Sequence, residues 1–256
     1  MTSRTEAPKV RVILVGVGGA TCSGKTTLAK HLRSCLPNSF IIHQDDFAPP
    51  QELIPYHPVY NVQDWDDPTG AIDWPRLNAF LREVKATGVL PDHHSHDHLN
   101  EQREVHIDRG IFDKWQQTFR QVEQGSSERG EKIVWAILDG FLLYWDQAVI
   151  DSLDVRIFLR VPHDILKARR DVRHGYHTAV QSDPEGTLWR DPPHYWEQIV
   201  YPAYLRAHAD IFQDGDVESG EPTEKVKGLV VIKGNETGIA ETFDQVCQKL
   251  ALEVKP

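Results

Sequence analysis

Apolar residues in this chain gather into short unbroken runs, separated by stretches where they recur every three or four positions. Val10–Gly16, Ser39–His43, Ile133–Leu138, Val155–Leu159 and Leu229–Ile232 are such runs, and each reads as a strand buried on both faces. Between them, Lys25–Cys35, Ile72–Thr87, Ile111–Val122, Pro162–Asp171, Tyr195–Ile211 and Ile239–Val254 read as helices. Leu77, Phe80, Leu81 and Val84 share one helical face, and Asp73 ahead of Trp74-Pro75 suits a helix start. The Tyr195–Ile211 helix should break near Pro202. Strands alternating with helices predict an α/β fold, a parallel sheet flanked by helices as a three-layer sandwich. No internal repeat is visible. Residues 1–256 read as one domain with a frayed tail at 1–9. The stretches 92–131 and 214–227 read as insertions, and their polar parts, Asp92–Arg109 and Asp214–Lys227, as surface loops.

The first strand leads into Gly19-Ala20-Thr21-Cys22-Ser23-Gly24-Lys25-Thr26, and the helix-compatible Thr27–Leu32 follows. This is G-x-x-x-x-G-K-[ST] in a strand–loop–helix setting, the phosphate-binding loop of nucleoside triphosphate enzymes. Glycines let backbone N–H groups turn inward around an anion, and the helix adds its positive N-terminal end. Lys25 is expected at the β- and γ-phosphates and Thr26 on Mg²⁺. ATP is therefore expected along Gly19 to Thr27, and the fold becomes a phosphate-loop NTPase sandwich.

Two acidic segments end strands of this sheet. Gln44-Asp45-Asp46-Phe47 follows the second, and Asp139-Gly140 closes the third. Ligands of parallel sheets bind beyond the carboxyl ends of strands. Asp45 can accept a hydroxyl proton or position a metal-bound water, and Asp139 can hold Mg²⁺ directly or through water. Asp46 is a less distinct candidate beside it. Lys167, Arg169, Arg170 and Arg173 cluster on a helix, a basic lid that can neutralise phosphoryl oxygens. Trp65-Asp66 reads either as a packed loop tryptophan or as an aromatic beside an acid that holds a base and a ribose. His93-His94-Ser95-His96-Asp97-His98 has metal-ligating residue types without ligand spacing, and reads as an exposed loop.

Composition narrows the class further. Over 256 residues, 40% hydrophobic and 26% charged residues are ordinary for a globular protein. A net charge of −10 argues against nonspecific nucleic-acid or anionic-membrane binding. No apolar run is long enough to span a bilayer, and the polar start lacks the look of a secretory signal. Three cysteines, an odd number without C-x-x-C spacing, suit a reducing cytoplasm. Cys22 reads as a small residue at a variable loop position.

Taken together, Gly19–Lys30, Ile42–Phe47, Ile137–Leu143 and the Lys167–Tyr176 region resemble the nicotinamide riboside kinases, relatives of the uridine kinases. The resemblance runs in patches from about Val10 to Phe212 and more weakly through Ile232–Thr242. It implies an ATP- and Mg²⁺-dependent phosphotransferase with an alcohol acceptor, the 5′-hydroxyl of nicotinamide riboside. It implies Asp45 as the catalytic acid beside substrate and metal, Lys25 and Arg170 in transfer, and Asp46 and Phe47 near the acceptor. Trp65 falls where the family stacks a tyrosine on nicotinamide, Asp66 on the ribose-binding acid, and Tyr176 near a second stacking aromatic. Arg169 and Arg173 resemble lid contacts to ATP, and Gly234-Asn235-Glu236-Thr237 the adenine-side loop. Asp139 stands where the family commonly has glutamate, so water could bridge it to Thr26-bound metal. No nucleic-acid or membrane partner is implied, and a monomer is favoured. A uridine or cytidine kinase is the alternative enzyme, and a non-catalytic nucleotide-binding regulator the alternative class.

Overall fold

The computed structural model describes residues 8–93, 95, 97, 105–173, 175–178, 186–234 and 238–254. The chain runs through β1 (Lys9–Gly19), α1 (Lys25–Cys35), β2 (Ser39–His43), α2 (Trp74–Thr87), α3 (Arg109–Glu128), β3 (Glu131–Asp139) and α4 (Gln147–Ser152). It continues through β4 (Val155–Arg160), α5 (His163–Asp171), β5 (Tyr176–His177), β6 (Leu188–Trp189), α6 (Tyr201–His208), β7 (Leu229–Lys233) and α7 (Ile239–Glu253). Five parallel strands lie in the order β2-β3-β1-β4-β7, and β5 pairs with β6 as a separate antiparallel arm.

The strand runs are continuously apolar because alternate residues enter two different cores. Ile13, Val15, Val17, Ile133, Trp135, Ile137, Ile157 and Leu159 face α1, α3 and α7. Leu14, Ala136, Leu138 and Phe158 face α2, α4 and α6. The α/β sandwich with a parallel sheet is thus present as expected. Helix α2 begins two residues later than its periodicity suggests, because the Asp73 side chain accepts from the Arg76 N–H and caps it. The helix broken at Pro202 is also present: a wide turn over Trp196–Val200 leads into α6, which carries Pro202 in its first turn.

Described parts of the two stretches expected as insertions pack into the fold. Helix α3 buries Trp115 and Phe119 against β3 and α7, and Asp108 caps its start. The 214–227 stretch is anchored rather than loose: Val217 and Val226 are buried, and Arg160 donates to the Gly220 carbonyl at 2.6 Å. Polar composition hid two anchoring valines.

Register brings the strand ends together. His43 and Val17 both stand opposite Asp139. Just beyond, buried Gln44 crosses to the next loop, where its Oε1 accepts from the Leu142 N–H at 2.8 Å. Gly140 leaves room for this crossing, since a Cβ there would lie 2.5 Å from Gln44 Oε1 and 2.5 Å from Leu143 Cδ2. Gly140→Ala should therefore lower stability by about 1–3 kcal/mol through forced repacking. Urea denaturation checks this, and an unchanged midpoint would contradict the interlock.

Candidate active site

The loop after β1 is built on left-handed backbone. Gly19 has φ 135°, and a Cβ there would lie 2.4 Å from the Leu159 carbonyl oxygen, so no other residue fits without movement. Gly24 (φ 97°) precedes the first residue of α1, and Cys22 is itself left-handed at φ 61°. Cys22 thus occupies a constrained position, although its sequence setting suggested only a small filler. Thr21 to Thr27 line one side of a cleft of about 1670 Å³, while Gly19 and Ala20 lie beneath it. Lys25 is 8% exposed and folds back to donate to the Ala20 carbonyl at 2.7 Å. Burial lowers its pKa, against the opposing pull of Asp139 and Asp45.

Asp139 is the polar centre of the floor. Its Oδ2 accepts from the Thr26 hydroxyl at 2.5 Å and lies 3.2 Å from His43 Nδ1, whereas its buried Oδ1 has no hydrogen-bond partner among the described residues. Burial pulls His43 down, but the hydrogen bond and charge of Asp139, with Asp97 and Asp46 beyond, outweigh it and hold the imidazole up at about 9. Asp45, one turn past β2, is exposed to the cleft, and Asp46 is buried at its edge. Phe47 lies in the core instead, edge-on to Phe80 at 5.1 Å and beneath the Arg76 guanidinium. It lines no part of the cleft, which corrects its expected place at the acceptor.

The basic helix α5 closes over the loop. Arg169 donates to the Cys22 carbonyl at 3.1 Å, and Arg170 to the Thr21 hydroxyl at 3.2 Å. Arg170 and Arg173 each place a guanidinium 4.4 Å from the centre of the Tyr176 ring. The Tyr176 hydroxyl meets Thr21 Oγ1 at 3.4 Å and Cys22 Sγ at 3.5 Å. Burial pushes this phenol up to about 12, partly offset by the two arginines. Tyr176 thus lies against the phosphate loop, and in the β5–β6 register it stands opposite Trp189.

The aromatic beside Trp65 is Trp189, with ring centres 5.9 Å apart. The preceding turn is firmly held. Buried Asp64 accepts from the Asp66 and Asp67 N–H groups, and Tyr195 bridges the Trp65 N–H and the Gln63 carbonyl. Asp66 is half-buried in the cleft wall. Burial, reinforced by Asp64, Asp191 and Asp45 and opposed by Arg170, pushes it up to about 7. Arg170 is locked by Asp191, a partner that sequence reasoning missed along with Trp189, Gln44 and His43. The signal was present as Trp189-Arg190-Asp191, an aromatic near an acid as in Trp65-Asp66.

The opposite end of the cleft is lined by His31, His106, Gly238, Ile239 and Thr242. Glu236 and Thr237, expected at the adenine, lie outside the described residues, as do Asn235, His94, His96 and His98. His93 is tucked in rather than exposed, edge-on to Phe80 at 5.0 Å and 3.7 Å from Asp46. Asp97 pairs with Lys30 at 2.6 Å and lines the cleft. Among the described residues no group of three or more His, Cys, Asp or Glu side chains could hold a metal ion, and no helix is long and apolar enough to cross a membrane.

No protein-family model matches the chain. Individual relatives do. The nicotinamide riboside kinase of Saccharomyces cerevisiae is 32% identical over 243 residues, covering 94% of this chain and 96% of its own. That of Schizosaccharomyces pombe is 33% identical over 210 residues, covering 81% and 84%. Nicotinamide riboside kinase 1 of Homo sapiens is 26% identical over 243 residues, again covering 94% and 96%. With a phosphate loop, strand-end acids and an arginine helix around one cleft, and relatives matching nearly end to end, the chain belongs to the nicotinamide riboside kinase family.

Proposed function

We propose that this chain transfers the γ-phosphoryl group of ATP, with Mg²⁺, to the 5′-hydroxyl of nicotinamide riboside, giving nicotinamide mononucleotide and ADP. The observation that carries the reading is the make-up of the acceptor side. Trp65 and Trp189 line the cleft together with Asp66 and Asp45, near the phosphate loop. Aromatic faces and carboxylates together suit a flat cationic ring better than a neutral one. The relatives' names point the same way.

In this reading Lys25, Arg169, Arg170 and Arg173 hold the phosphate charge, and the backbone from Thr21 to Thr27 cradles it. Asp45 accepts the proton of the attacking hydroxyl. Trp65 stacks on the pyridinium ring, and Asp66 accepts from the ribose diol. Thr26, Asp45 and Asp139 fit Mg²⁺, being all-oxygen donors. The buried Oδ1 of Asp139, without a hydrogen-bond partner among the described residues, supports this, since Mg²⁺ is commonly held by one or two carboxylates with waters and phosphate oxygens. Mg²⁺ would supply charge neutralisation on the transferred group.

The direct test is ADP release across a panel of nicotinamide riboside, uridine and cytidine. Nicotinamide riboside should give the highest kcat/KM, and a preference for either pyrimidine nucleoside would replace this reading with the uridine-kinase one. Asp45→Asn should cut kcat by roughly 10²–10⁴-fold as the proton acceptor is lost, with ATP binding largely kept. Wild-type-like turnover would remove Asp45 from that role. Trp65→Ala should weaken nicotinamide riboside more than uridine, by about 0.5–2 kcal/mol. Equal losses for both nucleosides would make Trp65 a packing residue.

The pH profile follows from Asp66. Its pKa is raised in the fold to about 7, so the protonated form is the better accommodated one. Acceptor kcat/KM should fall as pH drops through 7 and Asp66 loses its charge, and Asp66→Asn should be low and flat. The stability sign is opposite. Asp66 stabilises the fold below its ordinary carboxylate range and loses that contribution as pH rises through 7, so Asp66→Asn should melt higher than wild type at pH 8. A wild-type kcat/KM that is flat from pH 5.5 to 8 would contradict both.

A further inference from the structure

Asp191 has no part in the mechanism above, yet its carboxylate joins the two halves of the cleft. It lies two residues past β6. Its Oδ2 accepts from Arg170 Nε at 2.6 Å and its Oδ1 from Arg170 Nη2 at 2.9 Å, while Trp189 Nε1 donates to the same Oδ1 at 3.1 Å. One carboxylate therefore holds both the arginine over the phosphate loop and the tryptophan beside Trp65.

The geometry limits what Arg170 can do. A guanidinium has five N–H donors in one rigid plane. Asp191 takes the Nε–Nη2 edge in fork-to-fork fashion, and Thr21 takes a donor of Nη1 at 3.2 Å. The remaining donors sit at the Nη end of a side chain that is 9% exposed and lines the cleft. Without Asp191, a competing carboxylate on that wall is Asp66, whose charge Arg170 already feels. Arg170 pairing with Asp66 would leave the phosphate side and occupy the acid assigned to the ribose.

We propose that Asp191 is a positioning residue that fixes Arg170 and Trp189 as one unit, setting the distance between the acceptor's ring and the transferring phosphoryl group. The proposal rests on the nucleoside-kinase reading above, and its test uses whichever nucleoside of the panel wild type turns over best. Asp191→Asn should lower acceptor kcat/KM roughly tenfold or more while ATP KM stays near wild type, and Asp191→Glu should restore part of the loss. In an Arg170→Lys background the same Asp191→Asn change should cost less than about twofold, because residues acting through one another are not additive. Additive losses, or unchanged kcat/KM in a folded Asp191→Asn variant, would overturn the proposal.

A second readout needs no turnover. The Arg170 Nε–H proton resonance, identified by its absence in Arg170→Lys, should be slow to exchange in wild type and fast in Asp191→Asn. Equal exchange in both would overturn the proposal even in a chain with no acceptor activity. A pyrimidine nucleoside as best acceptor would overturn the nicotinamide riboside assignment alone, leaving the cycle and the resonance to decide Asp191.

Discussion

The Asp139 carboxylate, buried where three parallel strands end, is the constraint on which the site depends. One oxygen is shared by Thr26 and His43, and the other has no hydrogen-bond partner among the described residues. Removing a charge from water is tolerable only where opposite charge or strong donors replace the lost solvation. Here the replacement comes from different parts of the chain. Lys25 and Thr26 arrive with the first turn of α1, and His43 with the end of β2. The pairings of β1 and β2 with β3 make that convergence obligatory, since a shift of one residue would turn Asp139 to the other face. Gln44 and Gly140 then fix the two acid-bearing segments to each other.

Around this centre charge is sorted by function. The chain is acidic overall at −10, yet α5 and the turn after it set three arginines over the phosphate loop. Their faces and edges are already engaged by Tyr176, Asp191 and loop oxygens. A polyanion entering the loop would meet donors pre-oriented by these contacts, so little reorganisation is needed when phosphate charge arrives. The wall that carries Trp65 and Trp189 has the reverse character, with Asp66 and Asp45 lining the cleft beside the two indoles. Burial of Asp66 against Asp64 and Asp191 raises the energy of its ionised form, which a cationic ligand would relieve.

Most of this architecture was legible in the residues. Strand runs, helix periodicity and the glycine-framed loop are local signals, and β2 and α1 lie where the pattern puts them. Strand-end acids were readable because parallel sheets gather their sites at one edge. What escaped detection was non-local. Asp191 matters because it meets Arg170 across 21 positions, and Trp189 because a two-residue strand turns it toward Trp65. The local aromatic-acid pattern Trp189-Arg190-Asp191 names neither contact by itself. Phe47 misled in the opposite way: it shares a motif with Asp45, but on a tight 3₁₀ turn neighbouring side chains point to different sides, and Phe47 enters the core. Tyr176 is held against two guanidiniums and the phosphate loop, contacts that depend on folded geometry.

Phosphoryl transfer to a primary ribose hydroxyl, as proposed for this chain, is most directly witnessed by the product itself. Incubation of the chain with ATP, Mg²⁺ and nicotinamide riboside, followed by ³¹P spectroscopy with proton coupling, distinguishes the outcomes. A phosphomonoester coupled to the two 5′-methylene protons is the expected result. Inorganic phosphate alone, or a phosphorus coupled to a single ribose proton at the 2′ or 3′ position, would contradict it.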